Sequence, residues 1–401
     1  MKFDITCEAF RDAFSTASYT VDKVKNAGAT RMMLVQAETK NNKPRVLFFA
    51  TDGVAAIVTK TEAQVEEAGA TLVEPKELGI CLPNLPGDGT LSFTHQDGAL
   101  QLKCGRFKPK CSSDDPTSMV ERFKQLPLKE KSNLDIPGWK LREVFDRVIG
   151  FASIKEENLA QAFMQNVYLR VQDQGLEAYT ASDGILAKAR VNGLTVPDGT
   201  DFRVDIPARA IPALQKILAN PIFKRTDAAN PPQIKFLLKY HPDGGGNLYV
   251  RTNDIFYGVG LRNDRIPQKA IDSEGSMGKM TNAGIQLNRE EFIATVRRCQ
   301  PFLGGNLLRI SLADNQLTVL DHKKEELDVL EGAGEKNGES KICLDSRMVL
   351  NVLNSAKEDT LQVRFLKNGN AALVDSGNDE TGRGFYVVLA SPDPTEKEES
   401  K

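Results

Sequence analysis

At 401 residues the chain has room for about two to four domains, and 40% hydrophobic with 26% charged residues is the make-up of a soluble globular protein that buries a sizeable core. A net charge of -2 excludes a protein held to nucleic acid by overall positive charge, and leaves the placement of Lys and Arg to decide that question. No apolar run reaches membrane-spanning length and Met1-Lys2-Phe3-Asp4-Ile5 lacks a signal peptide's apolar stretch, so a cytoplasmic protein is expected. Cys7, Cys81, Cys104, Cys111, Cys299 and Cys343 are scattered without a C-x-x-C pair, which fits buried free thiols better than a disulfide or zinc framework.

In chain order, Phe10, Phe14 and Ala17 recur at helical spacing and predict an amphipathic helix over 7–18. Strands follow at Met32–Gln36 and Val46–Ala50, then a tight turn at Asp52-Gly53 and a strand at Ala55–Val58. Thr71-Leu72-Val73 precedes Pro75, which suits the first turn of a helix through Leu82 because that position needs no N–H donor. Leu91–Phe93, Leu100–Leu102 and Arg106–Lys110 read as closing strands. The formula is strand, helix, three strands, strand, helix, three strands.

It restarts near Leu134. Leu141, Val144, Phe145 and Val148 mark a helix, Val167–Val171 and Leu176–Thr180 are strands, and Ala181-Ser182-Asp183-Gly184-Ile185 repeats the turn. Pro207 opens a second helix carrying Ile211, Leu214, Ile217 and Leu218; Ile234–Leu238, Leu248–Arg251 and Phe256–Leu261 are strands, with Asp243–Asn247 at a hairpin position. A third copy begins near Ile285, with Phe292, Val296 and Cys299 on its first helix and Met348, Val349, Val352 and Leu353 on its second. Asp321-His322 stands where the Asp-Gly turn stood. Ser112–Pro116 with Lys129–Asn133, and Asp272–Asn282, read as linkers, and Ser391–Lys401 as a disordered tail. The expectation is an α+β chain of three repeated domains, 1–125, 132–272 and 282–390, each with two helices packed on β-sheets, followed by the tail 391–401.

This threefold plan resembles the bacterial DNA polymerase III β subunit, the sliding clamp. The resemblance covers residues 1 to about 390 and is most specific at Leu344-Asp345-Ser346-Arg347-Met348-Val349-Leu350-Asn351-Val352-Leu353-Asn354-Ser355-Ala356-Lys357 and Tyr386-Val387-Val388-Leu389. Met1-Lys2-Phe3, Ala50-Thr51-Asp52-Gly53, Ser182-Asp183-Gly184 and Arg265-Ile266-Pro267 add to it in order. It implies a head-to-tail homodimer closed into a six-domain ring, sheets outside and helices lining a hole for duplex DNA. It also implies a peptide cleft between the second and third domains, used by DNA polymerase and the clamp loader. Two departures stand out: Ala29-Thr30-Arg31-Met32-Met33-Leu34 replaces the family's Leu-Pro-Ile-Leu-like stretch, and a charged extension replaces a short apolar end.

The cleft positions implied by the resemblance are Met164, Ser182, Gly184, Ile185, Leu186, Ala187, Pro267, Ile271, Asp345, Met348, Val387, Val388 and Leu389. The set is largely apolar, as a groove for Leu and Phe anchors needs, and an interdomain core is the alternative use of the same residues. Ile185 and Leu186 stand where many clamps place His and Arg, which implies a greasier groove. A ring that slides needs diffuse attraction to phosphate, so the candidate DNA contacts are helix and loop cations: Lys23, Lys25, Arg142, Arg147, Lys155, Arg209, Lys216, Arg297, Arg298, Arg347 and Lys357, with Arg11, Lys140 and Arg289 beside them. Solvated helix faces are the alternative. For the dimer edge the candidates are Lys103, Arg106, Phe107 and Lys108, with Lys110, against Phe302, Leu303, Glu325 and Glu326, with Asp328; charged edges that merely block aggregation are the alternative.

Catalytic constellations are missing: His95, His241 and His322 are isolated, no H-E-x-x-H, G-x-S-x-G or P-loop occurs, and the triple glycine 244–246 runs into a strand. A non-catalytic accessory protein without cofactor or metal is expected. A clamp-like interaction scaffold that does not encircle DNA is the runner-up; a hydrolase with an unrecognised site is the third reading.

Overall fold

A computed structural model describes residues 1–21, 31–80, 82–152, 166–182, 184–197, 200, 202–207, 210–220, 223, 231–240, 245–261, 281–336, 339–367, 369–378 and 380–391. The chain runs β1 (Lys2–Thr6), α1 (Cys7–Ala17), β2 (Met33–Lys40), β3 (Lys43–Thr51), β4 (Ala55–Glu62), β5 (Gln64–Glu67), β6 (Gly69–Val73), α2 (Pro75–Gly79), β7 (Thr90–Gln96), β8 (Ala99–Lys103), β9 (Lys110–Asp114) and α3 (Thr117–Lys124). It continues as β10 (Leu134–Pro137), α4 (Gly138–Val148), β11 (Asn166–Gln172), β12 (Gly175–Ser182), β13 (Ile185–Val191), β14 (Phe202–Pro207), α5 (Ile211–Leu218), β15 (Gln233–Tyr240), β16 (Gly246–Arg251) and β17 (Ile255–Leu261). It closes with β18 (Thr281–Asn288), α6 (Arg289–Cys299), β19 (Leu307–Ala313), β20 (Gln316–Leu320), β21 (Glu326–Glu331), β22 (Ala333–Lys336), β23 (Ser340–Asp345), α7 (Ser346–Ser355), β24 (Thr360–Leu366), β25 (Ala371–Asn378) and β26 (Gly382–Leu389). The class is α+β, mostly sheet.

The chain divides into two compact units. The first holds Met1–Ile136, Pro212–Lys224 and Ala228–Arg262; the second holds Pro137–Ile211, Arg225–Asp227 and Asn263–Lys401. This division cuts through 132–272, because β15, β16 and β17 extend the sheet of β2, β3 and β4, in the order β10-β15-β16-β17-β4-β3-β2-β6-β9-β8-β7-β1-β5. In the second unit β26 extends the sheet of β11 to β13, in the order β14-β11-β12-β13-β26-β25-β24-β18-β22, beside a separate sheet β21-β20-β19-β23.

The two sheet extensions share one register. Ala55, Ile57 and Val58 face Val259, Tyr257 and Phe256; Ile185, Ala187 and Lys188 face Val388, Tyr386 and Phe385. Each time the strand after an aspartate turn pairs with a strand far along the chain, and a tyrosine and a phenylalanine recur at matching places.

In the first unit one face of this sheet packs on α1. The Thr6 side chain caps that helix by accepting from the Ala9 N–H at 3.2 Å. Phe10 and Phe14, one turn apart, meet Phe48 at centroid distances of 5.7 and 6.1 Å, and Phe10 meets Phe93 at 5.2 Å. The opposite face is an apolar layer of Leu34, Leu47, Phe49, Val58, Leu72 and Phe256 covered by Met119, Val120, Phe123, Leu126 and Leu128. That cover, α3 and the segment after it, lies between two stretches read as linkers, where the sequence reading assigned no element.

Four local expectations are corrected. The stretch Arg106–Lys110 is not a closing strand: reciprocal backbone bonds between Cys104 and Phe107, at 2.9 and 3.0 Å, close a turn through Gly105 at φ +58°, and the strand is β9 instead. Ser112–Asp114 therefore belong to a strand, not a linker, held by buried Cys111. Helix α2 stops at Gly79 rather than Leu82. Glu325, expected on one strand with Glu326 and Asp328, precedes β21 instead, its N–H bonded to the Asp321 carboxylate at 2.8 Å. The hairpin 243–247 lies partly outside the described residues, as do most of the linker 272–282 and the tail from 392 on. The cysteines Cys7, Cys104, Cys111, Cys299 and Cys343 are free thiols. No helix among the described residues is long and apolar enough to cross a membrane.

The missing glycine of the third aspartate turn has a physical account. Asp52 accepts from the N–H groups of Val54 (2.8 Å) and Ala55 (2.6 Å), and the left-handed position falls on Gly53, φ +88°. Asp321 accepts from Lys323 (2.7 Å) and Glu325, so its loop is one residue longer and the left-handed position moves to Lys324, φ +66°. A non-glycine residue there carries strain of about 1–2 kcal/mol. Gly53→Ala is expected to lower stability by about 1 kcal/mol and Lys324→Gly to raise it by a similar amount, read as opposite shifts of the urea midpoint.

Candidate functional site

Strand alternation divides the predicted cleft residues between two faces. Leu186 and Val387 lie opposite each other on neighbouring strands, and Leu373 lies opposite Val387 on the next strand. These three form one apolar patch with Leu366, Ala371 and Phe385. Leu389 continues the same side of β26 and is 52% exposed, unusual for a leucine in a strand. At the end of the patch the N–H of Leu389 donates to the Gly184 carbonyl at 2.8 Å. Gly184 has φ +82°, and Met348 Sδ and Cε stand 3.0 Å from where a Cβ at that position would sit. Half-buried Met348 thus closes the corner, and Ser182, also half-buried, ends β12 beside it. Asp345 lies under this corner as the cap of α7: its Oδ1 accepts from the Arg347 N–H at 2.8 Å and its Oδ2 from Arg347 Nη2 at 2.7 Å. The Arg347 hydrogen bonds, outweighing burial, hold its pKa below the usual value.

Ile185, Ala187 and Val388 take the other face and are buried core residues, so they shape the patch without lining it. Met164, Pro267 and Ile271 lie outside the described residues. Leu366, Ala371, Leu373 and Phe385 were missed by sequence reasoning. Phe385 was available from alternation back from Val387; the other three enter through strand pairing that no local pattern encodes.

The cations are mostly engaged. Arg147, 2% exposed, donates Nε to Glu143 at 2.9 Å, Nη1 and Nη2 to the two Glu358 oxygens at 3.0 and 2.5 Å, and Nη1 to Ser376 Oγ at 3.3 Å. It is a buried ion pair joining α4 to the start of β24, not a phosphate contact. Lys140 is likewise buried, its Nζ 2.6 Å from the Gly193 carbonyl, and desolvation lowers its pKa. Lys357 reaches Glu143 (2.9 Å) and Asp146 (3.3 Å), Arg142 lies 3.6 Å from Asp146, and Arg298 pairs with Asp328 at 2.5 Å. Arg289 pairs with Glu290, and Arg11 donates to the Leu85 carbonyl at 2.9 Å. Arg297 and Arg347 are exposed and Lys216 is half-buried. Lys23, Lys25, Lys155 and Arg209 lie outside the described residues. Sequence reading took Arg147 for a DNA-contacting helix cation because its partners Glu358 and Ser376 are remote in the chain.

The dimer-edge candidates fall into two groups. Lys103, Arg106, Phe107 and Lys108 are exposed at the end of β8 and in the turn after it, with Phe107 49% exposed. Phe302 is 60% exposed and Glu325 and Glu326 are exposed at the start of β21, an edge strand of its sheet. Leu303 is fully buried and leaves the set, because the turn after α6 folds it into the core.

Antiparallel sheets packed on short helices and extended by two strand pairings of one register define a clamp-type fold. In particular it is the fold of the DNA polymerase III β subunit: the chain superposes on the sliding clamp of Pseudomonas aeruginosa bound to griselimycin with a TM-score of 0.80, 17% identity, and 98% of this chain and 99% of that one covered. The β subunit of Thermotoga maritima gives 0.79 at 15% identity and the sliding clamp of Bacillus subtilis 0.78 at 16%, with the same coverage. In sequence the chain is 29% identical over 179 residues to the beta sliding clamp of Synechococcus elongatus, a match spanning 44% of this chain and 45% of that protein, so less than half of that relative's length is matched. No family model matches the chain.

Burial pushes the Glu358 pKa up, and the hydrogen bonds and charge of Arg147 outweigh it, so Glu358 titrates below its ordinary value of 4.5. A depressed carboxylate contributes stability above its unfolded pKa and loses it as pH falls through the folded one. Arg147→Ala is expected to destabilise the second unit by about 3 kcal/mol at pH 7, because it removes the guanidinium that holds half-buried Glu358, with the deficit narrowing as pH falls below the ordinary glutamate value and Glu358 protonates; urea melts across pH measure both.

Proposed function

We propose that the protein is a DNA sliding clamp, a non-catalytic ring around duplex DNA that tethers a replicative polymerase. The reading takes 1–125, 132–272 and 282–390 as three clamp domains, and two chains as one head-to-tail ring with helices towards the DNA. The observation that carries it is the repeated strand pairing. The strand after the first aspartate turn, β4, is paired by β17, and the strand after the second, β13, by β26. The strand after the third, β21, is left as an edge carrying Glu326 and Asp328. A like junction for β21 needs the segment of another copy that corresponds to β17, which is the region of Lys103, Arg106, Phe107, Lys108 and Lys110. Opposite charge there supports register and rate of assembly.

The patch of Leu186, Val387 and Leu389, cornered by Met348 and Gly184, is the site for a partner's peptide, and the clamp loader uses it to open the ring. Helix cations such as Arg297 and Lys216 supply non-specific attraction to phosphate, which falls as salt rises. Tethering works through topology and effective concentration.

Sedimentation is expected to show a dimer; a monomer at micromolar concentration favours a scaffold that does not encircle DNA. Once loaded, the protein should stay on circular DNA and run off linear ends, and equal loss from both templates removes the topological claim. Leu389→Asp should weaken a polymerase C-terminal peptide about tenfold or more while leaving the dimer intact, read by fluorescence anisotropy and sedimentation.

A further inference from the structure

We propose that the cavity over the β4–β17 pairing is a second peptide site, taking an acidic segment that inserts one aromatic or aliphatic side chain. This junction has the register of β13–β26, but its outer face is covered by the chain itself: Met119, Val120 and Phe123 of α3, then Leu126 and Leu128, lie over it. The cover is incomplete. Beside Phe123 and Leu128 it leaves a cavity of about 240 Å³ floored by Leu47, Val58 and Phe256.

The size favours one anchor side chain over a cofactor, since small-molecule sites usually have about 300–1,000 Å³. The rim fixes the charge of the occupant. Five cations and two carboxylates line the cavity, Lys40, Arg45, Lys60, Lys129 and Arg251 against Glu38 and Asp254. Arg45 is held by Glu38, its Nε 2.8 Å from Oε1, and Arg251 Nη1 by the Leu128 carbonyl at 2.9 Å, which also fixes the cavity wall. Lys40, Lys60 and Lys129 remain for a ligand. Three separated ammonium groups around an apolar floor suit spaced carboxylates on a peptide, whereas Glu38 and Asp254 on the same rim oppose a compact polyphosphate. The inference does not rest on the clamp reading, because none of the rim cations it uses is placed in that reading's cleft, DNA face or dimer edge.

The test uses the full chain and an acetylated, amidated pentapeptide with one central phenylalanine between pairs of glutamates. Calorimetry should show binding that is about tenfold weaker in Lys60→Glu/Lys129→Glu and unchanged in Leu389→Asp, and the glutamine version of the peptide should bind about tenfold or more weakly. No binding to the unaltered protein, equal affinity in the folded double variant, or loss in Leu389→Asp alone overturns the proposal. Should the double variant fail to fold, a photoreactive phenylalanine in the peptide decides: cross-links within 119–129 or 251–256 support the site, and cross-links within 182–189 or 384–389 overturn it. Loss of both this binding and the polymerase peptide's in Leu389→Asp would place one shared site at the cleft, so the two readings fail separately.

Discussion

Every exposed sheet edge is a row of unpaired N–H and C=O groups, and this chain is arranged around completing those rows. The strand after each aspartate turn is the place where the need arises. Two of these strands find partners within the chain, β17 for β4 and β26 for β13, and the sheets become continuous across what the sequence divides. The helices depend on the same device, because α1 and α4 pack against the strands so extended. What distinguishes the two junctions is their outer faces: α3 and its following segment lie over one, while the other ends in an exposed Leu389.

The second unit adds a polar constraint. Arg147 is out of reach of bulk water, and it is tolerable there only because half-buried Glu358 pairs with it. A second such cluster surrounds Glu177, 2% exposed, with Arg170, Lys188 and Arg190 around it. Burial raises the Glu177 pKa, and Lys188, Tyr179 and Arg170 together bring it below the usual value. These clusters fix side-chain geometry on both faces of the sheet that carries the apolar patch.

What was legible in the sequence is what local chemistry decides. The turns at Asp52 and Asp321 follow from short side-chain bonds to nearby N–H groups, and the first helix from the spacing of Phe10, Phe14 and Ala17. Strand alternation puts Leu186 and Ile185 on opposite faces, whereas the sequence reading set both in the cleft. The partners of β4 and β13 lie roughly 200 residues away, beyond any periodic signal, and so do Leu373 in the patch and Glu358 beside Arg147. Arg147 was misassigned because residue type was taken as a guide to exposure and a remote ion pair overrode it, and Leu303 because the turn after α6 folds it inward. Helix α3 went unread because its apolar residues, Met119, Val120 and Phe123, sit among charged ones.

The interleaving of the chain also bears on how the protein is made. Strand β4 leaves the ribosome roughly 200 residues before β17, and at about 5–20 residues per second that is a wait of roughly 10–40 seconds. During it the first unit has an open central edge and no way to finish its sheet. Folding of the N-terminal unit is therefore gated by synthesis of the middle of the chain, and the long loop that must close makes the step slow in refolding as well. Lys60, on the waiting strand, puts a charge where a bare edge most invites another chain.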